Sequence, residues 1–170
     1  MVSKIKGDDW KYGVIDKAGR TVFPIKYDGF GGFSEGLALV SLKRKEGYMD
    51  KRGKIVIPLK YYSAGSFSEG LAHVQLKDNG RWGFIDKSGK QVIPFRYQFA
   101  WGFSDGLAAI VVNDKVGYID RRGRMVIRPK YEVPAVTDGS PCSFSKGLAY
   151  VQLDDASGYI GRDGTEYFKR

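Results

Sequence analysis

The sequence predicts an all-β protein: about five tandem antiparallel units of about 34 residues, each three-stranded, in an open solenoid-like array. Three interlocked columns carry this expectation. The block Phe33-Ser34-Glu35-Gly36-Leu37-Ala38 returns at Phe67, Phe103 and Phe144, its glycines stepping by 34, 36 and 41 residues. A second block, Gly13-Val14-Ile15-Asp16-Lys17-Ala18-Gly19, returns at Gly47, Gly83, Gly117 and Gly158. A third column is Pro24, Pro58, Pro94 and Pro129, with Lys26-Tyr27, Lys60-Tyr61, Arg96-Tyr97 and Lys130-Tyr131 just behind it. The units fall at approximately 1–30, 31–64, 65–100, 101–141 and 142–170, one repeat-array domain. Four-stranded propeller blades run to roughly 40–50 residues, so the shorter period favours an open array. Radial closure into a five-bladed, propeller-like ring is the alternative.

Each element has a local reason. Gly83-Phe84-Ile85-Asp86 runs into Lys87-Ser88-Gly89 and then Gln91-Val92-Ile93-Pro94, which reads as strand, turn, strand. Asp86 can accept the turn amides, and Gly89 can take the positive φ that closes the loop. Pro94 lacks an N–H and is expected to end the second strand. Leu107-Ala108-Ala109-Ile110-Val111-Val112 is an apolar, branched run that reads as a further strand, joined to the next hairpin by Asn113-Asp114-Lys115. The connector from Pro94 to Phe103 has room for one irregular turn. Val2-Ser3-Lys4-Ile5-Lys6 supplies a strand ahead of the first hairpin. In the last unit Gly161 replaces the turn Asp and Tyr167-Phe168 replaces Val-Ile-Pro, as a capping unit would.

Composition narrows the function classes. Cys142 is the only cysteine and His73 the only histidine, so a disulfide framework, a Cys-rich zinc site and any site needing two histidines are excluded. No run reaches the roughly 18 apolar residues of a membrane span, and the start lacks the apolar run of a secretory signal. A cytoplasmic protein without membrane partners is therefore expected. The formal charge of +9 favours acidic partners, whether protein or nucleic acid.

The run Trp82-Gly83-Phe84-Ile85-Asp86-Lys87-Ser88-Gly89, with Val92-Ile93-Pro94, Tyr97 and the block at Phe103, resembles the WG (KWG-type) β-repeat family. The resemblance covers nearly all the chain, although the namesake Trp stands only at Trp82, with Tyr12, Glu46, Val116 and Ser157 in its place elsewhere. It implies a bacterial all-β repeat protein and transfers no catalytic residues.

Most columns read as structure. Phe33, Phe67, Phe103 and Phe144 are expected to stack between units as core, with Leu37, Leu71, Leu107 and Leu148 beside them. Ser34, Ser68, Ser104 and Ser145 are expected to bond turn amides. His73 shares a column with Leu39, Ala109 and Tyr150, which reads as a strand surface or rim.

Two sets of residues read as binding candidates. The first is basic. Lys17, Lys51, Lys87, Arg121 and Arg162 recur at hairpin turns, with Arg20, Lys54, Lys90 and Arg124 just after the turn glycine. Stacked in register they would form a cationic ridge, and Lys26, Lys60, Arg96 and Lys130 a second row. Such rows attract phosphate or acidic protein, unless they are only solvated turn tips. The second set is irregular. The connector between Tyr131 and Phe144 is lengthened to twelve residues and includes Val136, Asp138, Ser140 and Cys142. Insertions in repeat arrays map to one, often binding, face. The matching loops carry the unshared aromatics Phe30, Tyr62, Phe99 and Trp101, which are either binding anchors or cover for the core. Cys142 reads as a small, partly buried residue. With no catalytic constellation and no cofactor motif, the expected function is non-enzymatic. The chain would bind or sequester a protein partner of inhibitor, immunity or scaffold type. Binding of nucleic acid or a nucleotide signal is the alternative.

Overall fold

The structure is a computed structural model and describes residues 2–6, 9–134 and 142–168. Among them there are strands and turns and no helix, hence none that could cross a membrane. The strands form five small antiparallel sheets in chain order, none closed into a barrel. The first holds β1 (Val2–Lys6), β2 (Asp9–Ile15) and β3 (Thr21–Tyr27). The second holds β4 (Gly29–Ser34), β5 (Leu37–Leu42), β6 (Lys45–Asp50) and β7 (Ile55–Tyr61). The third holds β8 (Ser63–Ala64), β9 (Leu71–Gln75), β10 (Trp82–Asp86) and β11 (Gln91–Tyr97). The fourth holds β12 (Phe99–Ala100), β13 (Leu107–Val112), β14 (Lys115–Asp120) and β15 (Met125–Glu132). The fifth holds β16 (Leu148–Leu153), β17 (Ala156–Gly161) and β18 (Glu166–Phe168).

The three inner sheets thus have four strands where three were expected. The connector given one irregular turn carries β12, which pairs with β13. Strands β8 and β12, left with the preceding unit by sequence boundaries at 64 and 100, belong to the sheet that follows. The prolines do not end their strands either. β11 runs through Pro94 to Tyr97, because it is an edge strand and bulges there. Trp82 faces Tyr97 and Phe84 faces Ile93, so Gly83 alone stands opposite Pro94, Phe95 and Arg96. A Cβ on Gly83 would lie 2.7 Å from the Ile93 carbonyl oxygen, which is why this column is glycine.

The hairpin turns close as their residues predict. The Asp86 carboxylate accepts the amides of Ser88 (2.9 Å) and Lys90 (3.0 Å), and Gly89 has φ +83°. In the last unit Asp163 replaces the missing acid and accepts the Thr165 amide at 3.0 Å.

Successive sheets are joined by the Phe-Ser-x-Gly-Leu-Ala blocks. Tyr48 packs under Phe67, Phe84 under Phe103 and Tyr118 under Phe144, with ring centroids 4.8, 5.0 and 5.0 Å apart. The block serines do not bond their own turn amides as expected. Ser34, Ser68 and Ser104 instead donate to the carbonyls of Phe67, Phe103 and Phe144, at 2.6, 2.6 and 2.5 Å. The acids beside them cross the same boundary, Glu35 accepting from the Gly70 amide, Glu69 from Gly106 and Asp105 from Gly147. The core is correspondingly split into clusters strung along the chain. Phe33 and Leu148 are corrections to the expected core: at the two ends of the block series they are 41% and 42% exposed, whereas Phe67, Phe103 and Phe144 are buried.

Candidate functional site

The second basic row is largely occupied. Each of its cations sits over the ring of the tyrosine that follows it, at 5.3 Å for Lys26, Lys60 and Lys130 and 5.1 Å for Arg96. Arg96 also donates to the Tyr97 hydroxyl and the Gly123 carbonyl, and Lys130 pairs with Glu166 at 2.6 Å. Through Arg96 and Lys130 this row also ties one sheet to the next.

The expected ridge is also partly used internally. Lys87 pairs with Glu35 of the preceding sheet at 3.0 Å, holding that carboxyl below its ordinary range. The Arg121 and Arg162 guanidinium groups lie against Gly70 and Gly106. Arg20 and Arg124 pair with Asp16 and Asp120 of their own turns. Lys17, Lys51, Lys54 and Lys90 remain exposed at the tips, Lys90 within the field of Asp86.

The irregular aromatics divide. Phe30, on β4, is half-buried against Phe23 (5.7 Å) and covers the first core cluster. Tyr62 is exposed between β7 and β8. Phe99 and Trp101 come together at the junction of the third and fourth sheets, their rings 4.7 Å apart. Phe99 is 40% exposed and stands between two clefts. One, of about 430 Å³, is polar and lined by Asn79, Arg81 and Trp82 among others. The other, of about 420 Å³, is lined by Phe99, Trp101, Val111, Asp114, Glu132 and Val133. Both acids of this second cleft have partners: Asp114 accepts from the Gln98 amide group and Glu132 from Lys115. The cleft is therefore an apolar trough whose two rim acids already have partners, Glu132 a cation and Asp114 a neutral amide, and Val133 puts it at the root of the lengthened connector. Val136, Asp138 and Ser140 lie outside the described residues. Cys142 is buried, and burial pushes its thiol up to about 11, so it is no ready nucleophile.

His73, read as a surface or rim residue, is half-buried, with one edge of its ring turned inward. Its ring packs on Trp82 (5.3 Å) and beside Gly65, whose Cβ position would fall 2.0 Å from Cε1. Its Nδ1 is sealed from solvent with no hydrogen-bond partner, and burial pushes the ring's pKa down to about 4. Its column gave no sign of this, since Leu39, Ala109 and Tyr150 differ too much in burial to name a face. The stack His73–Trp82–Phe99–Trp101 thus runs from half-buried ring to open cleft.

The sequence model of the WG containing repeat matches residues 12–45, 47–79, 82–115 and 117–133. The chain belongs to the WG-repeat family. No curated protein matches it. Within these WG repeats the namesake column has diverged in role as well as identity. Trp82 is a buried part of the aromatic stack, Val116 is core, and Glu46 accepts the Ala64 amide at 2.5 Å.

Proposed function

We propose that this WG-repeat protein is a non-enzymatic, cytoplasmic binding or sequestering protein that engages an acidic protein partner. The repeats form the support. The contact is an apolar anchor of the partner seated in the cleft at Phe99 and Trp101. The supporting observation is the pair of half-open aromatic rings beside a trough whose acids already have partners within the protein. Such a site gains from burying apolar surface without stranding a charge. The excess of +9 draws an acidic partner toward it.

The alternative, an anion binder for nucleic acid or a nucleotide, is favoured by Lys17, Lys51 and Lys54, which are exposed at turn tips. One experiment separates the two. The protein is used as bait in host lysate with and without nuclease treatment, beside a Phe99→Ala/Trp101→Ala variant and one with residues 133–142 replaced by a Gly-Ser link. The expected result is a protein captured by the wild type and lost from both variants, each shown to be folded by circular dichroism. Capture abolished by nuclease, or falling steeply with salt while indifferent to the variants, would establish the anion reading instead.

A further inference from the structure

The hairpin between β9 and β10 departs from the others. Four residues lie between the facing pairs Ser41 and Glu46, Val111 and Val116, and Gln152 and Ser157, whereas six, 76–81, lie between Gln75 and Trp82. The longer loop turns where the Gly80 amide donates to the Lys77 carbonyl at 3.0 Å, with Asn79 at φ +52°. Gln75 pins it from beneath, its Nε2 donating to the Gly80 carbonyl at 2.6 Å. With Phe99 this loop walls the polar cleft of about 430 Å³. Insertions confined to single repeats are often where an array places its binding face.

Two nearly buried residues bring unused polar atoms to that cleft. Gln75 and Trp82 face each other across the strands, line the cleft and are only 8% and 7% exposed. Among the described residues nothing donates to the Gln75 Oε1 and nothing accepts from the Trp82 Nε1, yet neither atom is sealed from solvent. An enclosed acceptor and an enclosed donor are costly unless something in the cleft serves them. The walls are set in advance. The Trp82 ring is held between His73 at 5.3 Å and Phe99 at 5.1 Å, and Gln98 is fixed by two bonds to Asp114.

The lining selects the ligand chemistry. A hydroxyl both donates and accepts, so adjacent hydroxyls serve the Gln75 Oε1 and the Trp82 Nε1 together. Asn79 adds a further carboxamide, and Phe99 a flat apolar ring at the mouth. Asp78 and Arg81 contribute one charge of each sign, neither in an ion pair among the described residues. The lining is therefore neutral in sum, and a phosphate would meet a carboxylate. A sugar ring, with hydroxyls around its edge and C–H groups on its faces, matches each of these features. We propose that the polar cleft binds a neutral saccharide, one ring face on Phe99 and adjacent hydroxyls bonded to Gln75 and Trp82. This site goes beyond the protein contact proposed above, shares Phe99 with it and stands if that contact fails.

The test titrates the whole protein, ¹⁵N-labelled, with cellobiose, maltose, lactose and diacetylchitobiose, and separately with glycerol and adenosine monophosphate. At least one disaccharide is expected to shift the Trp82 Nε1–H and the amides of residues 75–82 and 98–99, saturating at millimolar sugar. Trp82→Phe keeps an aromatic ring and removes the donor, and should weaken that sugar about three- to tenfold, the worth of one hydrogen bond. Replacing residues 76–81 by the equivalent Val112–Lys115 of the fourth sheet should abolish binding while the amides of the first and fifth sheets keep their positions. The variant with residues 133–142 replaced should bind the sugar unchanged, which separates this site from the protein contact. No such shifts from any disaccharide at millimolar concentration would overturn the proposal. So would equal shifts from glycerol at matched hydroxyl concentration, tighter binding of the nucleotide, or a Trp82→Phe variant that binds as the wild type does.

Discussion

The Ser68 hydroxyl donates to the main-chain carbonyl of Phe103, 2.6 Å away and in the next sheet. With the neighbouring Glu69 carboxylate on the Gly106 amide, it fastens one repeat to the following one through polar groups that a shorter side chain could not reach. Such ties matter in an array, where stability is a sum of unit and nearest-neighbour terms.

Ser68→Ala should therefore cost about 1–2 kcal/mol, the loss of a part-buried hydrogen bond with its carbonyl left unserved. Ser145→Ala removes the same hydroxyl from an exposed position with no following block among the described residues, and should change stability by less than about 0.5 kcal/mol. Urea unfolding of the two variants checks the contrast. Equal costs would show the serine acting within its own turn.

Gly83→Ala and Gly19→Ala should both destabilise, for different reasons. At Gly83 the added methyl meets the backbone of β11, 2.7 Å from an oxygen and 3.0 Å from the Phe95 nitrogen, and the strand must move. Overpacking costs typically about 1–3 kcal/mol, and a clash with backbone instead of a side chain puts this one at about 3 kcal/mol. At Gly19 nothing lies within 4 Å, and the cost is that of φ +78° alone, about 1–2 kcal/mol. Thermal unfolding should rank Gly83→Ala well below Gly19→Ala.

Cys142 should resist alkylation in the native protein near neutral pH. It is 2% exposed and its thiol is raised to about 11, so both access and thiolate are scarce. Iodoacetamide labelling followed by mass spectrometry should show little adduct until denaturant opens the fold. Rapid native labelling would place the thiol in an open site and revive it as a candidate nucleophile.

What could be read from the sequence was whatever repeats with a local cause. Asp86 and Gly89 announce a turn because the turn's own geometry needs them, and Phe99 and Trp101 stood out because the other units lack them. What could not be read depends on neighbours. Phe33 and Phe67 sit in identical blocks, yet the second is buried against the Tyr48 ring and the first is not, the matching column of the first hairpin holding Val14 instead of an aromatic. Ser-x-Gly looks like a turn motif whether its hydroxyl serves that turn or the next sheet. Lys60 and Lys51 are equally basic on paper, but only Lys60 has a tyrosine ring beneath it. Pro94 misled because the edge position and the bulge that tolerate it are properties of the sheet.

His73 should make the fold sensitive to mild acid. Its folded-state pKa, about 4, lies below the ordinary value of 6.5, because the enclosed ring is held neutral with Nδ1 unpaired. The unfolded chain therefore takes up a proton first as pH falls, and protonation favours unfolding. Stability is unaffected by this group above about pH 6.5, declines from there to about pH 4, and levels off below, a total of about 3 kcal/mol at 1.36 kcal/mol per pH unit. The carboxylates Asp16, Asp28 and Glu35 have depressed values, so their stabilisation is lost only at lower pH, below the unfolded carboxylate range. Within the interval from 6.5 to 4 the decline comes from His73 and is opposed by Glu46, whose half-buried carboxyl is raised and takes up its proton first in the folded state. His73→Leu copies Leu39 of the same column and removes the titrating ring. Urea unfolding at half-unit pH steps should show the decline in the wild type and its absence in His73→Leu. A variant that loses stability over the same interval would assign the acid sensitivity to another group.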